Sequence, residues 1–128
     1  MIVDSSALLA ILFSEPEKEE FLQIIQREQC SMSGANYLES AIRVDSLRDP
    51  VLSRIFDELI RELKIKIEPV TVEQILEARN AFKDFGKGSG HKASLNFGDC
   101  FAYALSKGKR EPLLFKGEDF IHTDLLRY

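Results

Sequence analysis

The sequence predicts an α/β protein, a three-layer α/β/α fold around a central parallel sheet of four or five short strands, formed as a single domain over residues 1–128. Three observations predict it. Short apolar segments such as Ile2-Val3 and Leu113-Leu114-Phe115 alternate with longer stretches whose apolar residues recur at helical spacing. Strands separated by helices are joined by crossovers, which make parallel sheets covered on both faces. The composition, 45% hydrophobic and 30% charged, is that of a globular chain, and 128 residues can bury roughly two-thirds of the surface of the unfolded polymer.

Taken in order, Met1–Asp4 reads as the first strand, β-branched at Ile2 and Val3. A helix follows from about Ser6 to Phe13. Ser14-Glu15-Pro16-Glu17 has the form of a capping box with proline in the first turn, which opens a helix to about Glu28. Cys30–Met32 is the second strand, and Ser33 caps a helix from Gly34 to about Leu47. Asp49-Pro50 again places a cap before a proline, and Leu52, Ile55, Phe56, Leu59, Ile60 and Leu63 form the stripe of that helix. Lys64–Glu68 alternates like a half-buried strand. Thr71 with Gln74 opens a helix to about Phe85, and the glycine-rich, basic run Gly86–Ser94 is a loop. Asn96 caps a last helix that stops at Gly108. The strand around Leu113–Phe115 and a turn through Lys116–Phe120 complete the pattern.

The longest apolar stretch, Ala7–Phe13, is far shorter than the ~20 residues of a membrane span, and Asp4 with no basic residue before Lys18 does not make a signal peptide. The expectation is a cytoplasmic protein without a membrane partner. Cys30 and Cys100 sit in no paired motif, and with only His91 and His122 the chain lacks a zinc-type ligand set. Both cysteines read as reduced, buried thiols. The net charge of −4 is unevenly spread: from Lys83 to Lys116 seven basic residues face three acidic ones, leaving +4 there and −8 elsewhere. That asymmetry permits a polyanionic partner.

Carboxylates carry the chemistry. In parallel sheets the functional crevice lies beyond the carboxyl ends of the strands. Asp4 ends the first strand, Asp119 follows the last, and Asp99 lies three residues after the cap Asn96. Glu39 shares a helical stripe with Ala35, Leu38 and Ile42, so the spacing puts it on the buried-facing side. Each acid alone has an ordinary explanation as a cap or turn residue. Together they converge on one edge. Carboxylates so close repel unless a cation lies among them, and oxygen-only donors suit Mg²⁺ or Mn²⁺. Such an acidic pocket is the apparatus of metal-assisted phosphodiester hydrolysis. Glu118 and Asp124 carry the same ambiguity at lower rank.

These segments also resemble a known family. "IVDSSALLAIL", "SGANYLESAI", "LNFGDCFAYALSK" and "PLLFKGEDFIHTDL" are similar, in order and nearly end to end, to the motifs of PIN-domain toxins of the VapB–VapC toxin–antitoxin type. The resemblance implies a PIN-like fold, metal-binding and catalytic roles for Asp4, Glu39, Asp99 and Asp119, and a supporting hydrogen bond from Ser6. It also implies an Mg²⁺- or Mn²⁺-dependent endoribonuclease acting on tRNA, rRNA or mRNA, a homodimer, and a VapB-type antitoxin as partner. One feature departs from the pattern. Where many relatives have an arginine just before the loop histidine, this chain has Ser89-Gly90, one residue longer, so Lys87 or Lys92 would have to take over its contacts. Lys87, His91 and Lys92 are the candidate RNA contacts, and phosphate contacts of that kind give affinity without sequence choice. Tyr37 and Phe97 could stack on bases but read more readily as core.

Other classes fit less well. A receiver module wants a further aspartate at the end of a middle strand, and none follows Lys64–Glu68 before Pro69. A haloacid-dehalogenase-like phosphatase wants Asp-x-Asp where this chain has Asp4-Ser5-Ser6. The remaining alternative is a non-catalytic PIN-like module that binds RNA or protein, which would be expected to have lost one or more of the four acids.

Overall fold

A computed structural model describes residues 1–128. Four strands, β1 (Ile2–Val3), β2 (Ser31–Ser33), β3 (Lys66–Glu68) and β4 (Leu113–Leu114), form one parallel sheet in the order β3-β2-β1-β4. Six helices accompany them: α1 (Ser5–Leu12), α2 (Lys18–Arg27), α3 (Gly34–Asp45), α4 (Pro50–Glu62), α5 (Val72–Phe85) and α6 (Phe97–Lys109). The chain builds outward from β1 through β2 to β3, then returns to place β4 on the other side of β1. The order therefore reverses between β1 and β4, the place where parallel α/β sheets open a crevice.

Alternation along the strands divides the core in two. Val3, Met32 and Leu114 point into a cluster with α1, α2 and α4, where Leu8, Ile25 and Phe56 are buried. Ile2 and Leu113 point the other way, into a cluster with α5 and α6 that includes Ala81, Leu95, Tyr103 and Phe120. The edge strand β3 is mostly exposed and carries Lys66 and Glu68, charges that discourage pairing with another edge. Cys30 and Cys100 are buried free thiols. No helix is long and apolar enough to cross a membrane.

Four caps read from the sequence form. Ser33 accepts from the Ala35 amide, Asp49 from Val51 and Leu52 ahead of α4, Thr71 from Gln74, and Asn96 from Asp99. The supposed capping box at Ser14–Glu17 does not. Ser14 instead terminates α1: its φ of 52° is left-handed, its amide donates to Ile11 O, and the Glu15 amide reaches back to Ala10 O. That pattern is a Schellman ending, and α2 starts at Lys18 without a side-chain cap. Lys64 ends α4 in the same way, so the strand expected from Lys64 begins at Lys66. Gly108 likewise lies inside α6, which stops one residue later with Arg110 in the left-handed region.

Candidate active site

Asp4 leaves β1 and at once caps α1, so the capping residue and the candidate site residue are one side chain. Its Oδ2 accepts from the Ser6 amide at 3.0 Å and from Ser6 Oγ at 2.6 Å. Ser6 Oγ in turn accepts from the Lys116 amide at 3.0 Å, which ties the turn carrying Asp119 to the end of β1. Asp99 belongs to a reciprocal capping box: its Oδ2 accepts from the Asn96 amide at 3.0 Å, and its own amide donates to Asn96 Oδ1 at 2.9 Å. Asp4 and Asp99 are only 4% and 8% exposed.

Glu39 reaches the crevice differently from the expectation. The buried stripe of α3 is Asn36, Ser40 and Val44, with Tyr37 stacked on Phe56, whereas Leu38 and Ile42 are 56% and 59% exposed. Residues 36, 40 and 44 satisfy the helical period as well as 35, 38 and 42 do, and the packing of polar Asn36 against α6 decides between them. Glu39 is therefore exposed, at the margin of the buried face. It is held there by Ser5 Oγ, which donates to Oε1 at 2.5 Å, and by Asn36 Nδ2 at 3.4 Å from the same oxygen. Asn36 Nδ2 also donates to Gly98 O at 2.9 Å. A Cβ on Gly98 would stand 2.0 Å from Glu39 Oε2, so this carboxylate lies directly on the first turn of α6. Asp119 is exposed in the turn after β4, beyond Gly117 at φ 99°.

The four acids share one field. Burial raises the Asp4 carboxyl above its ordinary value against the lowering hydrogen bonds of Ser6, and Glu39 adds to the rise. Burial likewise pushes Asp99 up to about 7, with Asp4 and Asp119 contributing repulsion and Asp119 near enough to share a proton with it. None of the four makes a salt bridge. In Asp4, Glu39 and Asp99 the well-formed hydrogen bonds converge on one carboxylate oxygen and leave the other open: Asp4 Oδ1, Glu39 Oε2 and Asp99 Oδ1. The side chains do not close into a ready-made cage of three, as expected of like charges that repel. A set of oxygen donors, two buried and two exposed, with no cationic side chain among them fits a hard divalent cation of the Mg²⁺ or Mn²⁺ kind.

The neighbouring candidates separate by their partners. Lys87, His91 and Lys92 are exposed on the loop between α5 and α6, and neither lysine is ion-paired. His91 Nδ1 accepts from the Ala93 amide while its ring meets Phe85 edge-on. Lys107 and Lys109 are engaged with Asp124 and Glu68, and Asp124 also accepts from Tyr103 at 2.6 Å, which makes it a structural acid. Phe97, expected in the core, is 79% exposed beside Asp99. Burial pushes the Cys100 thiol up to about 11, so it is no nucleophile. Sequence reasoning missed Ser5, Asn36 and Gly98. The available signal was the spacing of Asn36, one helical turn before Glu39.

Comparison with known proteins identifies the family. The family model described as PIN domain matches residues 1–126. Ribonuclease VapC28 of Mycobacterium tuberculosis is 52% identical over 128 residues, covering 99% of this chain and 96% of the relative. Ribonuclease VapC42 of the same species is 41% identical over 126 residues, covering 98% and 96%. Among solved structures, the sarcin-ricin loop cleaving toxin VapC20 of M. tuberculosis superposes with a TM-score of 0.75 at 11% identity, over 99% of this chain and 97% of that one. A toxin–antitoxin complex from Klebsiella pneumoniae gives 0.68 at 15% identity, over 96% and 92%. With an α/β/α fold, four acids at the switch point of a parallel sheet and relatives this similar along the whole chain, the protein belongs to the PIN-domain family and, within it, to the VapC ribonucleases.

Proposed function

We propose that this chain, one PIN domain over residues 1–128, is a divalent-metal-dependent endoribonuclease, the toxin of a type II toxin–antitoxin pair that works in the cytoplasm. The observation that carries the reading is the gathering of Asp4, Glu39, Asp99 and Asp119 around the β1/β4 switch point with no cationic side chain to offset them. These four would hold one or two Mg²⁺ or Mn²⁺ ions through their open oxygens. When bound, such an ion supplies Lewis-acid chemistry, acidifying water and offsetting the charge that develops on the phosphate. Ser6 keeps Asp4 oriented and fixes the Asp119 turn to it. Glu39 and Asp119 open the site to solvent on the side where RNA arrives. Lys87, His91 and Lys92 lie at the loop leading into α6 and would contact RNA phosphates.

A VapB-type antitoxin is the expected partner, a reading supported by the likeness to a toxin–antitoxin complex. The groove of about 840 Å³ lined by Ile11, Leu22, Ile25, Ile55, Leu59 and Leu63 offers such a partner an apolar seat. Exposed Ile75, Leu76, Phe82 and Phe97 on α5 and α6 favour a homodimer.

The test is incubation of the purified chain with total tRNA and rRNA in Mg²⁺ or Mn²⁺, then in EDTA, beside Asp4→Asn. Discrete metal-dependent fragments that the variant fails to make are the expected result. Cleavage by Asp4→Asn at the normal rate would remove the site assignment, and RNA binding without any cleavage would favour a binding-only module.

A further inference from the structure

We propose that Ser5 and Asn36 are positioning residues that act through Glu39, fixing its Oε1 so that Oε2 is presented to the bound cation. The proposal rests on the metal-site reading above. Three observations carry it. Ser5 is not the cap of α1, since Asp4 fills that place, yet Ser5 is buried. Its hydroxyl has one proton and two acceptors in reach, Glu39 Oε1 at 2.5 Å and Asn36 O at 3.2 Å, and the shorter bond takes it. The charge on Glu39 makes that bond the stronger of the two as well.

Asn36 is wholly buried, and its Oδ1 has no hydrogen-bond partner. An orphaned buried acceptor lowers stability, and a leucine of similar size would pack there without it. What the amide contributes is its Nδ2 group, which donates to Glu39 Oε1 and to Gly98 O and so joins α3 to the first turn of α6. Gly98 completes the arrangement by leaving room for Oε2. An acid on an exposed helix margin otherwise samples several rotamers, and a donor pair on one oxygen removes that freedom. The consecutive serines thus serve different carboxylates, Ser5 holding Glu39 and Ser6 holding Asp4.

The experiment compares wild type, Ser5→Ala, Glu39→Gln and the double variant as full chains. Mn²⁺ affinity is measured by titration calorimetry, RNA cleavage as separate kcat and KM, and folding by metal-free thermal unfolding. Ser5→Ala is expected to unfold close to the wild-type temperature, to bind Mn²⁺ about tenfold more weakly and to lose a similar factor in kcat with KM unchanged. In the Glu39→Gln background Ser5→Ala should cost nothing further, because its effect runs through the carboxylate. Asn36→Ala should weaken Mn²⁺ at least as much; if it fails to fold, Ser5→Ala decides alone. Wild-type Mn²⁺ affinity and kcat in folded Ser5→Ala overturn the proposal, as does an undiminished loss in the Glu39→Gln background. A wild-type chain that binds no Mn²⁺ overturns the metal reading itself, so the two failures are distinguishable.

Discussion

The two ends of α6 treat carboxylates in opposite ways. At its C-terminal end, Lys109 bonds Glu68 at 2.9 Å and lies 3.9 Å from Glu111, while the Met1 amino group bonds Glu111 at 2.5 Å. Every acid there has a cation, and the Lys109 ammonium holds Glu68 below the usual carboxylate range. At its N-terminal end, Asp99 meets Asp4 and Asp119 with no cation between them, and burial with repulsion pushes it up to about 7. Carboxylates therefore meet opposite surroundings at the two ends of one 13-residue helix, and the number of acids does not distinguish them. Their partners do. Paired acids stabilise the folded chain, whereas unpaired, partly buried ones lower its stability.

The sharpest way to break that contrast is to neutralise the unpaired end. Asp99→Asn should reduce RNA cleavage at least about a hundredfold, the loss expected when a site built on metal charge loses a ligand. The metal-free variant should nevertheless unfold at a higher temperature than wild type at pH 8, since asparagine keeps an acceptor for the Asn96 amide and removes repulsion. A lower unfolding temperature would mean that Asp99 is a structural acid.

A smaller effect is expected from Gly98→Ala. The new methyl displaces the flexible end of Glu39 rather than backbone, so Mn²⁺ affinity should fall about tenfold. Fold stability should hold or rise slightly, because alanine is the better helix former by about 1 kcal/mol.

The pH dependence of the metal-free protein follows from the signs of the shifts. Asp99 and Asp4 have folded-state values above their unfolded ones, so the folded chain binds more protons and stability falls as pH rises from about 4 towards 7. Glu68 is depressed, so its contribution is present above the ordinary glutamate value and is lost as pH falls through the folded one. Metal-free thermal stability should therefore be higher near pH 5.5 than at pH 8 and decline again in stronger acid. Saturating Mg²⁺ should remove most of the alkaline loss. The smallest effect belongs to Lys109→Ala, which breaks a largely solvent-screened pair: about 0.5 kcal/mol by thermal unfolding, with cleavage unchanged.

The alternation of apolar runs was enough to read the sheet, the order of its elements and the four caps that form, because each rests on local periodicity or on one side chain meeting a nearby amide. Asp4 and Asp119 could be placed at one edge because both follow strand ends, and Asp99 because it lies in the first turn of a helix that starts there. Helix ends at Ser14, Lys64 and Arg110 were not: a left-handed terminal residue is usually glycine, and here polar side chains accept that conformation because two backbone hydrogen bonds close the turn. The face of α3 escaped for another reason. The buried stripe was read through Ala35, Leu38 and Ile42, but Asn36 and Ser40 are the buried residues: Asn36 binds the carbonyl of Gly98, 62 residues away, and Ser40 bonds back to the Asn36 carbonyl. Long-range polar packing leaves no trace in a hydrophobic pattern.

The rod-like α6 sets a rule for how this chain can change length. Each added residue turns a helix by about 100°, so an insertion between Asp99 and Lys109 would swing the acid out of the crevice or the lysine away from Glu68. The loop before it is under no such constraint. Gly88 and Gly90 adopt positive φ with open space around them, and the loop is pinned at its ends, where Gly86 pairs with Leu95 and the His91 ring meets Phe85. Insertions and deletions among the exposed residues 87–90 can thus remodel this surface while the acids keep their places. In a lineage of such chains, this surface could diverge by loop length with the acidic cluster left untouched.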